Sequence, residues 1–313
     1  MNFPAQIDGL EQLALSKQPL HLAIGMFDGV HLGHRAVIKA AVQSAQTSGG
    51  RSGVLTFWPH PSALFRPEAP TRLLQDAPVK SRMLLSLGVD VVITQPFTTG
   101  LAAVAAEEFL PWLTRQVPNL AAIYVGDNFR FGRGRVGDVA LLIAAGRQHG
   151  IRVFSAPRVS LDGEPISSTR IRGMLEAGEV EGANLLLGQP YAAEGGVSPG
   201  KRIGRTIGFP TLNVAWSPSL RPRFGVYAVR VSGAKSATAL PAVANYGVRP
   251  TVESVSEPRL EAHVLGECPF GEGDRVTIEW LCFQRPEMKF SGLDELRRQI
   301  SRDRVTAEGY FGL

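Results

Sequence analysis

Two histidines, His31 and His34, stand three residues apart in Gly25-Met26-Phe27-Asp28-Gly29-Val30-His31-Leu32-Gly33-His34. In a first helical turn, residues three apart share a face, so both imidazoles address one point. The segment follows a buried-strand pattern, Leu20 to Met26, and leads into apolar residues at helical spacing over His34 to Ala45. Such a turn ends on a helix N-terminus, where backbone N–H groups and the helix dipole favour anions. Gly25 and Gly29 let the backbone approach a phosphate closely, with Phe27 and Asp28 between them. Two imidazoles placed there can donate hydrogen bonds to phosphate oxygens as charge builds in a transition state. Taken alone, the pair would equally suit a metal or a plain surface; the strand–glycine–histidine–helix context favours phosphate.

Three further segments in the first half carry phosphate- or base-binding types. Ile166-Ser167-Ser168-Thr169-Arg170-Ile171-Arg172 opens an apolar helical pattern (Ile171, Met174, Leu175) that ends at Gly178. Hydroxyls at a helix N-terminus cap it and also contact phosphate, and Arg172 adds a forked cation. Simple capping by Ser168 or Thr169 is the competing reading. The stretch Val125 to Asp138, with Asn128, Arg130 and the Phe129-Arg130-Phe131-Gly132 run, has the composition of a nucleotide or flavin loop at a strand's carboxyl end. Thr56-Phe57-Trp58-Pro59-His60-Pro61 ends another strand; there His60 is either a ligand contact or part of a rigid proline turn.

The second half has its own set. Gly200 to Asn213 joins a basic glycine loop, including Gly204 and Arg205, to Pro210-Thr211-Leu212-Asn213. Glycines with basic side chains suit phosphates. Thr211 and Asn213 offer hard oxygens of the kind Mg²⁺ takes alongside its waters. Asn245 to Thr251 is a turn in which Arg249 is an anion contact or a surface residue. Leu260-Glu261-Ala262-His263-Val264-Leu265 puts Glu261 and His263 on one strand face, where Glu261 either pairs with an arginine or acts as a general base. Arg285 to Phe290 adds charge after the last strand, with Lys289 read as solvated.

The elements that must position these residues fall into two patterns. In the first half, strand runs (Leu20–Met26, Gly53–Trp58, Val89–Thr94, Leu120–Val125, Ile151–Ser155) alternate with helical ones (His34–Ala45, Val104–Leu113, Asp138–Gln148). Pro111 warns that the middle helix kinks or ends early. Alternation of this kind predicts βαβ units and a parallel sheet covered on both faces. From about Tyr191, short strands (Phe224–Val231, Leu240–Asn245, Leu260–Leu265, Arg275–Phe283) are punctuated by Gly and Pro, predicting an antiparallel barrel or sandwich. One helix closes it, with Ser291 and Asp294 as a capping box and Leu293, Leu296 and Ile300 as its stripe. The length, 313 residues, suits two domains, divided here as 1–185 and 186–313.

Composition narrows the classes. Hydrophobic residues are 44% and charged ones 19%, which excludes a disordered chain, and two cysteines exclude a disulfide scaffold. No leader pattern or apolar run of membrane-spanning length is seen, so a cytoplasmic protein is expected. The net charge of +5 is spread evenly: 17 basic and 15 acidic residues over 1–182, then 16 and 13. A nucleic-acid binder concentrates its charge, so a small phosphorylated ligand is the better match.

The His-x-Gly-His segment resembles the signature of the nucleotidyltransferase superfamily. The ordered series as a whole resembles the bacterial bifunctional riboflavin kinase/FAD synthetase family, from about Leu20 to Asp303: His-x-Gly-His, Phe-Arg-Phe-Gly, Ile-Ser-Ser-Thr-x-Ile-Arg, Gly-Phe-Pro-Thr-x-Asn, Gly225-Val226-Tyr227, Asn-x-Gly-x-Arg-Pro-Thr and Leu-Glu-x-His. The resemblance implies a Rossmann-like α/β nucleotidyltransferase domain followed by a β-barrel kinase domain with a closing helix. It implies phosphorylation of riboflavin to FMN by the second, adenylylation of FMN to FAD with release of pyrophosphate by the first, and Mg²⁺ with ATP for both. By the same resemblance, His31 and His34 steady the α-phosphate, while Ser167, Ser168, Thr169 and Arg172 hold the β- and γ-phosphates with the Gly25–Gly29 loop. Asn128, Arg130 and Arg285 are implied on the flavin side, and Gly204 and Arg205 on the kinase's ATP. Thr211 and Asn213 bind Mg²⁺, and Glu261 takes the proton of the riboflavin 5′-hydroxyl. Three places depart from the family pattern: Trp58 for a polar residue, Leu212 for alanine, and Cys268-Pro269-Phe270-Gly271 for an acidic segment at a flavin-side position. Competing readings are an adenylyltransferase with an inactive flavin-binding barrel, an oligonucleotide-binding barrel, and a flavin store without turnover. No nucleic-acid or membrane partner is expected, and the oligomeric state stays open.

Overall fold

The computed structural model describes residues 5–14, 16–200, 208–248 and 257–313, and the chain divides into two compact units, Met1–Ser168 and Thr169–Leu313. In the first, β1 (Gln6–Asp8), β2 (Leu20–Ile24), α1 (Leu32–Ser48), β3 (Arg51–Trp58), α2 (Pro61–Phe65), α3 (Ala77–Leu85), β4 (Val91–Pro96), α4 (Thr99–Ala102), α5 (Ala106–Gln116), β5 (Leu120–Gly126), α6 (Val139–His149) and β6 (Arg152–Ala156) follow one another. A small hairpin, β7 (Ser160–Leu161) and β8 (Glu164–Pro165), ends the unit.

The six larger strands form one parallel sheet in the order β1-β4-β3-β2-β5-β6. All five residues of β2 are buried, as expected for a central strand covered on both faces. One apolar layer packs α5 and α6 on the sheet (Phe109, Leu110, Leu113, Leu142 against Leu22, Ile24, Ile123); the other packs α1 and α3 (Val37, Ile38, Leu84 against Ala23, Val54, Val92). Helix α1 is N-capped by His31 and stopped by Gly49 at φ 64°, and α6 by Asp138 and Gly150. The early end expected at Pro111 does not occur: α5 runs through it to Gln116. Burial of Phe109, Leu110 and Leu113 outweighs the roughly 3 kcal/mol propensity cost of an internal proline.

The chain passes from the first unit to the second within α7 (Ser168–Ala177). Then come α8 (Val180–Leu187), β9 (Tyr191–Ser198), β10 (Leu212–Ala215), β11 (Gly225–Gly233), β12 (Leu240–Gly247), β13 (Arg259–Val264), β14 (Arg275–Pro286) and α9 (Leu293–Phe311). The strands close into an antiparallel barrel, β10-β13-β12-β11-β14-β9, rather than a sandwich. Closure rests on β9, whose Gly195 allows a close approach: a Cβ there would lie 2.2 Å from the Ala215 carbonyl oxygen. Two register shifts between β11 and β14 mark bulges of the kind that bend a sheet round. Aromatic rings fill the interior: Tyr227, Tyr246 and Trp280 are fully buried, and Tyr227 meets Trp280 edge-on at 4.6 Å.

Helix α9 starts later than the expected capping box requires. Gly292 is the N-cap, and the Ser291 N–H and hydroxyl both donate to Glu295, at 2.7 Å, rather than engaging Asp294. Leu293 is 62% exposed, so it leaves the expected apolar stripe; the buried positions of α9 are Asp303 and Ala307.

Candidate active sites

In the parallel sheet, the chain steps from β2 through β3 to β4 on one side, with β1 added at that edge, and through β5 to β6 on the other, which places the topological switch point between β2 and β5. Open α/β sheets bind ligands at the carboxyl ends of strands at such a point. The loop Gly25–Val30 leaves β2 there, and the Asn128 segment leaves β5 beside it.

The loop is strained and tightly anchored. Phe27, Gly29 and Val30 have φ of 51°, 87° and 42°. For a β-branched residue such as Val30 that region is costly and persists only where the surroundings impose it. The anchors come from five segments. Lys80 Nζ of α3 and Thr56 Oγ1 of β3 both donate to the Met26 carbonyl, at 3.2 and 3.0 Å. The Leu74 N–H donates to the Asp28 carboxylate at 3.0 Å, Ser168 Oγ to the Asp28 carbonyl at 2.8 Å, and Arg35 Nε to the Val30 carbonyl at 3.0 Å.

The two histidines meet as expected. Their rings stack with centroids 3.6 Å apart, and Phe27 packs edge-on against His34 at 5.3 Å. His31 Nδ1 accepts the His34 backbone N–H at 3.3 Å, which places the neutral imidazole's proton on Nε2, the donor a phosphate oxygen needs. Burial, then the charges of His31 and Lys80, hold His34 well below its ordinary value. At neutral pH it is therefore a neutral hydrogen-bond donor, not a cation.

Of the other expected residues in this unit, Ser168 is tied to Asp28 and Ser167 precedes it; Thr169 and Arg172 follow on α7 in the second unit. Asn128 and Arg130 are exposed, with Arg130 3.8 Å from Asp138. Phe131 and Gly137 exchange backbone hydrogen bonds, at 3.1 and 3.0 Å, and so close the arginine-rich segment into a hairpin. His60 is a helix cap: its Nδ1 accepts the Ser62 N–H at 3.1 Å. Trp58 stands 42% exposed at the end of β3. Lys80 and Thr56 escaped the sequence reading, because nothing in composition distinguishes a buried lysine from the usual solvated one.

On the barrel, strand register gathers the candidates into one row on the outer wall. Ser198 pairs with Asn213, Asn213 with Glu261, Glu261 with Asn245, Asn245 with Val226, and Val226 with Arg285. Alternate residues (Leu212, Val214, Leu260, Ala262, Tyr246) point inward and are buried. His263 shares the face of Glu261; its Nδ1 lies 2.8 Å from the Pro210 carbonyl and its ring meets Phe209 edge-on, which fixes the segment leading to Thr211 and Asn213. Gly204, Arg205 and Arg249 lie outside the described residues. Three of the five N–H donors of Arg285 are engaged within the protein: one each from Nε and Nη2 goes to Asp303 at 2.7 and 2.6 Å, and one from Nη1 to the Pro286 carbonyl at 2.9 Å. It holds α9 to β14, a task the expected flavin contact did not anticipate. Beside this anchor, Val226, Ala228 and Val243 of the wall pack against Ala307 and Phe311 of α9. The Cys268–Gly271 turn lies between β13 and β14, and Gly273 just past it donates to the Val197 carbonyl at 2.9 Å, so this departure borders the Ser198 end of the row.

A strained glycine–histidine loop at the switch point of a parallel sheet, followed along the chain by a barrel with a carboxylate and amide row on its wall, has the make-up of a two-unit transferase acting on small molecules. Comparison with known proteins gives the particular family. Residues 14–170 match the family model described as FAD synthetase, and residues 187–311 that described as riboflavin kinase. The chain is 39% identical over 309 residues to the bifunctional riboflavin kinase/FMN adenylyltransferase of Escherichia coli strain K12, covering 98% of each chain. It is 34% identical to the Bacillus subtilis protein of the same name, covering 93% of this chain and 92% of that one. A crystal structure described as a macrolide-efflux protein from Streptococcus pneumoniae superposes with a TM-score of 0.87 at 26% identity, covering 97% of this chain and 99% of that one. Among the described residues no helix is long and apolar enough to cross a membrane. The chain belongs to the bifunctional riboflavin kinase/FMN adenylyltransferase family.

Proposed function

We propose that the first unit adenylylates FMN at the Gly25–His34 loop and that the second phosphorylates riboflavin on the outer wall of the barrel. Residues 1–185 serve the first reaction and 186–313 the second. The observation that carries the reading is the stacked histidine pair on an anchored, strained loop at the sheet's switch point. In adenylyl transfer, an FMN phosphate oxygen attacks the α-phosphorus of ATP and pyrophosphate leaves. His31 and His34 donate to the α-phosphate oxygens, while Ser167, Ser168, Thr169 and Arg172 hold the leaving phosphates. Asn128 and Arg130, at the adjacent strand end, face the flavin side.

In the kinase, the riboflavin 5′-hydroxyl attacks the γ-phosphorus and ADP leaves. Glu261 takes the hydroxyl proton, and Asn213 and Asn245 flank it in the row. Arg285 acts on this site by holding α9 against the wall. Thr211 and Asn213 fit Mg²⁺: they offer neutral oxygens beside a carboxylate, and no cluster of three or more acidic, His or Cys side chains that would form a closed metal cage occurs among the described residues. The ion supplies charge neutralisation between phosphates when bound. Both cysteines are free thiols, which fits a reducing compartment, and we place the enzyme in the cytoplasm with small-molecule partners. Chromatography of products from riboflavin, ATP and Mg²⁺, and separately from FMN, ATP and Mg²⁺, tests the reading. FMN followed by FAD is expected in the first mixture and FAD in the second. Failure of folded protein to make FMN in the first would leave only the adenylyltransferase.

A further inference from the structure

Lys80 is 6% exposed on α3, where its Nζ donates to the Met26 carbonyl at 3.2 Å and to Thr56 Oγ1 at 2.9 Å. An ammonium withdrawn from water needs compensation. The carboxylate that attracts it is Asp28, and Asp28 lies in the same loop whose Met26 carbonyl the lysine holds. The loop therefore carries a cation against its inner side. Its charge reaches His34, whose imidazole it pushes further toward the neutral form.

This arrangement answers a need left open by the histidine pair. Adenylyl transfer gathers the charges of a triphosphate and of the attacking phosphate at one place, and the neutral His34 imidazole supplies a dipole but no net charge there. A fixed charge in a water-poor setting is worth far more than one in solvent. A purely structural anchor would need no charge, since Thr56 already bonds the same carbonyl at 3.0 Å.

We propose that Lys80 is a positioning residue for adenylyl transfer, its ammonium pinning the strained Gly25–Val30 loop from beneath while providing the resident positive charge for the phosphates the loop receives. This rests on the assignment of the loop to the triphosphate. The charged or titratable groups facing Lys80 are Asp28 of the loop and His34 of α1, which stacks on His31; β3 contributes the neutral Thr56. Burial lowers the lysine to about 8, so the charge is present at neutral pH and is lost in mildly alkaline solution.

The test compares wild type, Lys80→Met, Lys80→Arg and His31→Ala, assaying FMN adenylylation from pH 6.5 to 9.5 and riboflavin phosphorylation in the same samples. Lys80→Met is expected to lower the adenylylation kcat by roughly 10²-fold, the loss typical of one preorganised stabilising group, with a smaller change in the KM for ATP and no change in riboflavin phosphorylation. The wild-type rate is expected to fall as pH rises through about 8, with that limb displaced upward in Lys80→Arg, whose charge persists. Adenylylation by Lys80→Met within threefold of wild type, or an unmoved alkaline limb in Lys80→Arg, would overturn the proposal. If Lys80→Met does not fold, the Lys80→Arg profile alone decides. An inactive His31→Ala beside an active Lys80→Met would refute the lysine's role only; an active His31→Ala would remove the loop assignment and the lysine's role together.

Discussion

Replacing Asp303 by alanine should undock α9 from the barrel and remove the kinase while sparing adenylylation. The helix is held less by apolar burial than by one ion pair. Of its nineteen residues only Asp303 and Ala307 are buried. Asp303 receives two hydrogen bonds from Arg285, at 2.7 and 2.6 Å, and a third from Gln299 at 2.8 Å. The side chains are 6% and 18% exposed, so solvent screens the pair little. Removing one partner of such a pair leaves an uncompensated charge and costs about 3–5 kcal/mol. At about 1.4 kcal/mol per factor of ten, this shifts the docking equilibrium by roughly 10²- to 4 × 10³-fold. Thermal unfolding followed by far-ultraviolet dichroism, with both activities assayed at 25 °C, reads the effect. The double variant Arg285→Met/Asp303→Leu, which fills the same space without charge, should recover most of the stability. A loss below about 1 kcal/mol in Asp303→Ala, a marginal value for a buried pair, would refute the claim that the pair pins the helix.

Other consequences follow from the first unit. Burial lowers both His34, from 6.5, and Lys80, from 10.5 to about 8. The unfolded chain therefore binds more protons than the folded one, and stability rises with pH across each window. The contribution of neutral His34 should be complete above 6.5 and decline as pH falls below it. The penalty for buried Lys80 should be relieved between about 8 and 10.5, a slope that Lys80→Met should lack in urea titrations at fixed pH values. Gly132 sits at φ 72°, and a Cβ there would lie 2.6 Å from Ala106 Cα, a backbone atom. Gly132→Ala should destabilise the first unit by about 3 kcal/mol, combining left-handed strain with overpacking, and lower adenylylation more than kinase activity. Equal loss of both activities would contradict it.

Much of the architecture was legible because it lies in local pattern. The apolar runs of β2, β3 and β5 and the periodicity of α1 and α6 state their own structure, and the residue series naming the family is contiguous along the chain. What escaped depends on distant partners. Strand β9, Tyr-Ala-Ala-Glu-Gly-Gly-Val-Ser, has weak strand propensity and exists because Ala215 approaches Gly195 closely. Lys80 reads as a solvated lysine until the Met26 carbonyl and Asp28 are brought against it. Asp303 lies in a polar helix whose anchor, Arg285, is on another element. The alignment of Asn213, Glu261 and Asn245 follows from strand register, which a sequence does not display.

The central claim is that two separate sites on one chain perform successive reactions. The most direct measurement is product chromatography on His31→Ala and Glu261→Ala, each given riboflavin with ATP and Mg²⁺ and, separately, FMN with ATP and Mg²⁺. His31→Ala should accumulate FMN from riboflavin and make no FAD from either flavin. Glu261→Ala should leave riboflavin unchanged yet convert FMN to FAD at the wild-type rate. Loss of both reactions in either folded variant, or FAD formation by His31→Ala, would contradict the two-site account.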